Sequence, residues 1–193
     1  MEKNKQYYKY QSLGNDFILL DWLDEPQEIC KELLSTDRFS HHVRSWCHRQ
    51  EGIGADGVLI VTRSKRGDVD CLIFNADGSQ AEICLNGLRS IAHFLFHQKN
   101  YPSQFSLSMS NRLMRCEVNE DEIQINIAPA NYIDRQEIII DNKKLIGHRV
   151  DVGNPHFIVL QEVMLAWLKK QGASIESHPL FPHRTNVEFI WED

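Results

Sequence analysis

Cys84 is the residue whose type and position are best suited to chemistry. It lies between a polar, turn-forming stretch at residues 75–83 and a helical run at 85–97. A cysteine in the first turn of a helix is close to unpaired backbone N–H groups and to the positive end of the helix dipole, which stabilise a thiolate and can bind a carboxylate. Asn86 and Gly87 follow, and a glycine there lets a ligand approach the backbone closely. We therefore predict a reactive thiol beside an anion site, with a buried structural cysteine as the alternative.

A glycine-rich segment at residues 52–57 matches the GxGxxG pattern of dinucleotide-binding loops, but in the reverse context. The dinucleotide loop follows a strand and opens a helix. Here the segment follows a polar helix end and leads into an apolar strand. We predict a turn from helix to strand and no nucleotide site.

Four potential metal ligands, His41, His42, Cys47 and His48, lie close together in the sequence. Their spacing is not that of a zinc site, and no second ligand pair follows at zinc-finger distance. We predict a solvated helix face at this point and no metal site.

Composition and charge are those of an ordinary globular protein. The 193 residues are 42% hydrophobic and 25% charged, with a net charge of −6. An acidic chain without a basic run is not expected to bind nucleic acid, and no stretch approaches the ~18 apolar residues of a transmembrane helix. Residues 1–8 carry no apolar signal segment, and the five cysteines include no CxxC pair. We expect a cytoplasmic protein with reduced thiols and no membrane partner.

Apolar and alternating runs separated by turn residues predict a chain rich in strands. These strands are predicted at residues 7–11, 17–22, 57–62, 69–74, 105–109, 113–118, 122–127, 135–140, 148–151, 157–160 and 187–191. Amphipathic patterns predict helices at 26–34, 37–48 and 163–171. The helix at 84–97 is apolar on nearly every side, so other elements must surround it. The predicted architecture is α+β, with a sheet curled around a central helix, and hairpins dominate because few strand pairs leave room for a helical crossover.

A faint internal repeat accompanies this pattern. Residues 14–20 (GNDFILL) reappear, with one residue inserted, as residues 153–160 (GNPHFIVL). A Gly-Asn turn before an apolar strand is common by itself. As a repeat it indicates two similar halves that meet around residues 111–130.

Taken together, these motifs resemble those of the diaminopimelate epimerase family, which works without pyridoxal phosphate in bacterial lysine and cell-wall precursor synthesis. Six segments match in the same order: Leu13–Phe17, Gly52–Gly57, Phe74–Ser79, Cys84 with Asn86 and Gly87, Gly153–His156, and Phe181–Asn186. The resemblance implies two similar lobes, each a mostly antiparallel sheet wrapped around a central helix. The first lobe would be residues 1–118, and residues 119–193 would form an incomplete second lobe.

The resemblance also implies an isomerase that interconverts LL- and meso-diaminopimelate without any cofactor or metal. The family site lies between the lobes, where one cysteine from each lobe faces the substrate α-carbon from opposite sides. One thiolate removes the α-proton and the opposing thiol returns a proton to the other face. Backbone N–H groups at the helix starts stabilise the charge that develops on the carboxylate. The expected partner is a small amino-acid substrate, and because the family favours dimers a homodimer is a further expectation.

Residue roles follow from the same resemblance, with Cys84 as the catalytic thiol of the first lobe. The expected substrate-binding residues are Asn15, Asn75, Leu85, Asn86, Asn154 and Asn186, and the expected supporting residues are Gly57, Gly87 and His156. Simpler interpretations remain open for some of them: Asn15 and Asn154 are also ordinary turn residues, and His156 is also an ordinary loop cap.

Two departures from the family pattern affect the expected activity. Leu85 replaces the glycine that follows the catalytic cysteine, and its side chain could crowd the carboxylate pocket. The second departure concerns the other thiol. Cys84 follows Gly57 by 84 − 57 = 27 residues, so with Asn186 as the counterpart of Gly57 the second cysteine is expected near 186 + 27 = 213. The sequence ends at Asp193 without the family's Ala-Cys-Gly-Thr-Gly motif, so we expect a truncated or split site and weak or no inversion by this chain alone.

Two other functions stay open from the sequence. The first is a degenerate homologue without catalysis that binds an amino acid or a partner protein. The second is a cysteine hydrolase that pairs Cys84 with His93 or His156, although no oriented triad can be identified.

Overall fold

The computed structural model describes residues 6–34, 37–110 and 112–191. Its contacts divide the chain into two compact units, Met1–Ile127 and Ala128–Asp193, called here the first unit and the second unit. Residues 1–5, part of the segment in which no signal peptide is predicted, lie outside the described residues. Within the described ranges, no helix combines the length and the apolar composition that a membrane crossing requires.

The first unit is a seven-stranded sheet with three helices. Its elements are β1 (Tyr7–Ser12), β2 (Asn15–Trp22), α1 (Gln27–Leu34), α2 (Asp37–Cys47), β3 (Gly57–Arg63), β4 (Val69–Asn75), α3 (Leu85–Lys99), β5 (Gln104–Met109), β6 (Arg112–Val118) and β7 (Ile123–Asn126). The strands follow their chain order across the sheet. The pairs β2–β3 and β4–β5 are parallel, and the other four pairs are antiparallel.

The second unit is a four-stranded sheet with one helix. Its elements are β8 (Asn131–Ile140), β9 (Lys143–Asp151), β10 (Pro155–Val159), α4 (Leu165–Glu176) and β11 (Asn186–Phe189). The strand order is β11-β10-β9-β8, and β10–β11 is the parallel pair.

Helical crossovers join three of the nine strand pairs that the structure describes. All four described helices connect parallel neighbours: α1 and α2 join β2 to β3, α3 joins β4 to β5, and α4 joins β10 to β11. The other six strand pairs are antiparallel and join consecutive strands, so the prediction that hairpins dominate and that few pairs have a helical crossover is confirmed. Each of the three parallel pairs needs a long connection, which the helices supply.

The helix α3 occupies the inner face of the first sheet. Seven of its residues are buried, and it packs against the edge strands β1 and β7 as well as the central strands, so the sheet curls around it. The face that carries His93 and His97 remains exposed. Phe94 and Leu95 are fully buried in the same cluster as Leu59 of β3. The surrounded helix predicted from its apolar pattern is thus present, with one polar side open.

The outer face of the first sheet is covered by α1 and α2. Along β2, Phe17 and Leu19 join the cluster around α3, whereas Ile18 and Leu20 join the cluster around α2. Successive side chains of a strand point to opposite faces, so a strand between two helical layers must be apolar at every position. This explains why β2 and β3 are uninterrupted apolar runs.

The second unit buries one face of its sheet against α4. Ile138, Leu145 and Phe157 form the core of this unit with Ile175 of α4. On the opposite face of β8, Ile139 is 65% exposed. The second unit therefore has two layers where the first has three.

The internal repeat corresponds to a shared strand–helix–strand connection. In the first unit β2 begins at Asn15 and its parallel partner β3 begins at Gly57. In the second unit β10 begins at Pro155, directly after Asn154, and its parallel partner β11 begins at Asn186. Asn186 and Gly57 thus occupy equivalent places at the start of the second strand of each crossover.

The contacts divide the chain between Ile127 and Ala128, and the division of the two lobes at residues 118 and 119 stays a prediction. The strand β7 follows that point and pairs with β6 in the first sheet, so the first unit extends to Ile127. The reason is that the hairpin partner of β6 is its next strand along the chain.

Candidate active site

Cys84 is the N-cap residue of α3. Its backbone is extended, with φ −147° and ψ 106°, and its carbonyl oxygen accepts the first helical hydrogen bond from the N–H of Leu88 at 3.0 Å. No side chain caps this helix start and its first turn contains no acidic residue. The N–H groups of the first turn therefore have no acceptor within the helix and are directed to the region of the Cys84 thiol.

Cys84 differs from the other cysteines in exposure. All five cysteines are within the described residues and are free, and Cys84 alone is not buried. Burial raises the pKa of the Cys47 thiol to about 11 and that of Cys116 to about 12, and it also raises the pKa of Cys71 well above its ordinary value. These three thiols remain protonated at neutral pH, so they cannot act as bases or nucleophiles there.

Gly87 holds the start of α3 close to the sheet. A Cβ atom at this position would lie 2.8 Å from Cδ1 of Ile73, 2.9 Å from Cδ2 of Leu59 and 3.7 Å from Sγ of Cys84. Gly87 is buried. The absence of a side chain thus serves packing of the helix onto β3 and β4, whereas the sequence suggested close approach of a ligand.

Gly57 has a similar role in the sheet. A Cβ atom there would lie 2.5 Å from the carbonyl oxygen of Phe74, so a larger residue would separate β3 from β4. Gly57 pairs with Asn75, and Leu59 pairs with Ile73 further along the same strands. Because Gly87 packs against Leu59 and Ile73, the start of α3 and Asn75 lie at the same end of the sheet.

The side chain of Leu85 is in contact with the core of the first unit. Its half-buried side chain packs against the hydrophobic cluster around α3, as do the side chains of Ile83 and Cys84. A side chain held against the core leaves the backbone N–H of the same residue available at the helix start. The following residue, Asn86, accepts a hydrogen bond at its side-chain oxygen from Nη1 of Arg89 at 3.4 Å.

Asn15 and Asn75 lie at the same end of the first sheet. Asn15 begins β2, where it pairs with Ser12, and Asn75 ends β4. The side-chain nitrogen of Asn75 donates to Oγ of Ser79 at 3.0 Å, and its carbonyl oxygen has no bond to this serine. That Asn15 and Asn75 share a binding surface stays a prediction.

A group of charged residues that the sequence did not predict connects two loops at this end of the sheet. The Arg49 guanidinium donates to Asp16 at 2.8 Å and to Asp56 at 2.7 Å, and Lys9 donates to Asp16 at 2.7 Å. The backbone N–H of Asp16 donates to Asp56 at 3.0 Å. Arg49, followed by Lys9, lowers the pKa of Asp16 well below its usual range against an opposing effect of desolvation. The network ties the Gly14–Asn15 turn to the glycine-rich loop before β3, so it positions Asn15.

The second unit brings together four polar residues at the start of β10 and β11. His156 pairs with Asn186 across the two parallel strands, and its Nδ1 atom lies 2.7 Å from Oε1 of Glu188. The Nε2 atom of His156 lies 3.0 Å from Oδ1 of Asn154. The side-chain nitrogen of Asn186 donates to the carbonyl oxygen of Pro155 at 3.2 Å. Asn154, His156 and Asn186 were predicted from the resemblance, whereas Glu188 was not.

The pairing of Cys84 with His93 in a cysteine hydrolase is not favoured by the geometry of α3. Cys84 and His93 are nine residues apart on one helix, and at 1.5 Å per residue their backbones are separated by about 13 Å. His93 instead has ring contacts with Tyr10 and His97. Burial, and then the neighbouring His97, lower the pKa of His93.

Metal ligands do not converge in the part of the chain that is described. No group of three or more histidine, cysteine, aspartate or glutamate side chains there is arranged to hold a metal ion. In α2, the ring of His42 stacks on Trp46 at a centroid distance of 5.5 Å.

The α+β fold of the chain is also found in solved structures of other proteins. The chain is similar to a hydroxyproline epimerase from Agrobacterium vitis, with a TM-score of 0.64 and 12% identity over 92% of this chain and 56% of that one. It is also similar to a probable proline racemase from Agrobacterium radiobacter, with a TM-score of 0.69 and 11% identity over 97% of this chain and 66% of that one. At these identities the likeness establishes the fold alone, and the predicted fold class is confirmed.

Sequence comparison then gives the family. The model of the diaminopimelate epimerase family matches residues 7–133. Diaminopimelate epimerase of Alkaliphilus metalliredigens is 33% identical over 95% of this chain and 69% of its own length. The enzyme of Halothermothrix orenii is 34% identical over 95% of this chain and 70% of its own length. The chain belongs to the diaminopimelate epimerase family, as the motifs around Cys84 predicted.

Proposed function

We propose that this protein binds diaminopimelate and that Cys84 transfers the α-proton on one face of the substrate, as in the conversion of LL- to meso-diaminopimelate for lysine synthesis. The observation that carries the proposal is the position of Cys84. It is the one incompletely buried cysteine of the five, and it lies at an uncapped helix start.

The chemistry requires a base and a means to stabilise negative charge. An α-proton beside a carboxylate is a very weak acid, so the charge that develops on the carboxylate must be stabilised as the proton leaves. The free N–H groups at the start of α3 are suited to this role, because they point to the region beside the thiol and belong to a rigid, buried helix. The Cys84 thiolate takes the proton as the substrate C–H bond breaks, and the electron pair passes to the carboxylate.

The amide side chains suit the polar ends of an amino acid. The Asn75 nitrogen is engaged by Ser79, and the Asn186 nitrogen by Pro155, so each presents a carbonyl oxygen as an acceptor. Acceptors of this kind suit an ammonium group. Asn154 has its oxygen toward His156 and so presents N–H donors, which suit a carboxylate.

One thiol can transfer a proton on only one face of the substrate α-carbon. The family motif that carries the opposing cysteine does not occur in residues 1–193. A proton removed by Cys84 can exchange with solvent and return to the same face, which replaces the α-hydrogen without inverting the centre. Cys84 alone therefore accounts for exchange of the α-hydrogen on one face, and inversion requires a proton donor on the opposite face.

Covalent labelling tests the proposal. The protein is incubated with an electrophilic analogue of diaminopimelate, and the modified residue is located by peptide mass spectrometry. We expect modification of Cys84 that excess diaminopimelate prevents. The matched control is Cys47→Ser, which removes a buried thiol and should leave labelling unchanged. Labelling that diaminopimelate does not reduce would contradict the proposed site.

A second function is binding without catalysis, because Leu85 replaces the glycine that follows the catalytic cysteine in the family pattern. It predicts that diaminopimelate raises the melting temperature equally in the wild type and in Cys84→Ser. The two functions are distinguished by α-hydrogen exchange, which the binding protein would lack.

A further inference from the structure

Glu188 and His156 form a pair on the face of the second sheet that is opposite to α4. His156, Asn186 and Glu188 share this face, because His156 is in register with Asn186 and the side chains at 186 and 188 of one strand point the same way. The intervening residues, Phe157 and Val187, pack on the other face in the core with α4. The pair therefore lies on the same face of the second sheet as Asn186.

The hydrogen bonds of the pair fix the orientation of Asn154. A carboxylate only accepts hydrogen bonds, so the 2.7 Å contact with Oε1 of Glu188 places a proton on Nδ1 of His156. The other ring nitrogen, Nε2, lies 3.0 Å from Oδ1 of Asn154 and donates to this oxygen when the ring carries a proton on both nitrogens. With its oxygen held by the ring, Asn154 directs its amide N–H groups away from His156.

Fold stability does not explain why a carboxylate lies at this position. The second carboxylate oxygen of Glu188, Oε2, is buried and has no hydrogen-bond partner among the described residues. An ion pair that leaves a buried oxygen unsatisfied contributes little net stability, because desolvation offsets the attraction. What the carboxylate does accomplish is to select one orientation of the imidazole ring.

We propose that Glu188 is a positioning residue of the amino-acid site, which acts through His156 to hold the N–H groups of Asn154 toward the carboxylate of the ligand. The ligand in this inference rests on the proposed function. The orientation of His156 and Asn154 does not, since it is a property of the free protein.

Two substitutions at Glu188 separate orientation from simple loss of charge. In Glu188→Gln, the amide nitrogen can donate to Nδ1 of a neutral His156, whose Nε2–H still donates to Asn154. In Glu188→Ala, nothing fixes the ring. Glu137 of β8, which pairs with Lys144 at 2.6 Å, provides the matched control Glu137→Ala on the same sheet.

The first readout is the histidine and asparagine side-chain ¹⁵N spectrum of the full 193-residue chain at neutral pH. We expect Nδ1 of His156 to be protonated in the wild type and unprotonated in Glu188→Gln, with the Asn154 amide signals unchanged between the two. In Glu188→Ala and not in Glu137→Ala, the Asn154 amide signals should move. An unprotonated Nδ1 in the wild type, or Asn154 signals that do not respond to Glu188→Ala, overturns the inference.

The second readout is the affinity for diaminopimelate, measured by titration calorimetry. We expect Glu188→Ala to weaken binding about tenfold, the effect of one misplaced charge-assisted hydrogen bond, and Glu188→Gln to recover most of that loss. Equal losses in both variants, or unchanged binding in Glu188→Ala, overturn the positioning role. If the wild type itself does not bind diaminopimelate, the proposed function is overturned, and the spectrum still decides the orientation of Asn154.

Discussion

The first and second units use the same strand–helix–strand connection but support their polar residues in different ways. In the first unit Cys84 begins a helix with seven buried residues, which the sheet surrounds. In the second unit α4 has one buried residue, Ile175, and covers a single face. Asn154 and His156 are consequently oriented by hydrogen bonds at strand ends, and not by a helix inside the sheet.

The difference teaches that the two groups of residues should respond to different changes. The position of Cys84 depends on close packing, because Gly87 and Gly57 leave no room for a side chain. The orientation of Asn154 depends on hydrogen bonds to His156 and through it on Glu188. Core substitutions should therefore affect the first unit most, and polar substitutions should affect the second.

The largest expected effect is a loss of stability when a side chain that packs α3 or α4 against its sheet is truncated. Phe94 of α3 is fully buried, and Phe94→Ala should lower the free energy of unfolding by about 3–5 kcal/mol. Trp167 of α4 is only partly buried, and Trp167→Ala should cost about 1–2 kcal/mol. Urea unfolding followed by circular dichroism and tryptophan fluorescence measures both. Equal losses would contradict the difference between the helices.

An intermediate effect on stability is expected when one glycine in each unit is replaced by alanine. Gly57→Ala places a Cβ atom 2.5 Å from the backbone oxygen of Phe74 and should cost about 1–3 kcal/mol. Gly172, inside α4, has nothing within 4 Å of the added atom, so Gly172→Ala should add about 0.5–1 kcal/mol through helix propensity. The opposite signs are the test, again by urea unfolding. A loss of stability in Gly172→Ala would show that α4 is more tightly packed than described.

The smallest expected effect is a dependence of the stability of the second unit on pH. The Arg149 guanidinium, with Gln136, lowers the pKa of Asp134 from 3.8 to about 2. Because the folded pKa is lowered, the pair stabilises the unit above the unfolded value and this contribution is lost as the pH falls through about 2. Asp134→Asn should therefore be less stable than the wild type at neutral pH, and the difference should vanish in acid.

The control for this dependence is Arg149→Met, which should show the same loss at neutral pH. Asp16→Asn gives the corresponding test in the first unit, where Arg49 lowers the pKa of the carboxyl group. A difference between Asp134→Asn and the wild type that persists in strong acid would contradict the assignment.

Much of the fold could be predicted from the sequence because it depends on local patterns. Alternation predicted the strands, and the all-round apolar pattern at residues 84–97 predicted the helix inside the sheet. The parallel pairing of β2 with β3 was missed, because strand direction depends on the path of the connection and not on the strands themselves. The periodicity of residues 17–22 is the same in either direction.

In the candidate site, too, local features could be predicted from the sequence and long-range contacts could not. Cys84 was predictable because a cysteine before an apolar helix is a local feature. Arg49 and Glu188 were not, because their partners are distant in sequence: Arg49 binds Asp16, 33 residues away, and Glu188 contacts His156, 32 residues away. Such contacts exist only after the strands pair. The available signal was that Asp16 and Asp56 both belong to the matched glycine-containing motifs.

The most direct test of the account is hydrogen exchange at the α-carbon of diaminopimelate in D₂O, followed by proton NMR. We predict loss of the α-proton signal with the wild type and no exchange above background with Cys84→Ala. Cys47→Ser, in which a buried thiol is removed, should exchange as the wild type does. Exchange that continues in Cys84→Ala, or its absence in the wild type, would contradict the central claim that Cys84 is the acid/base thiol.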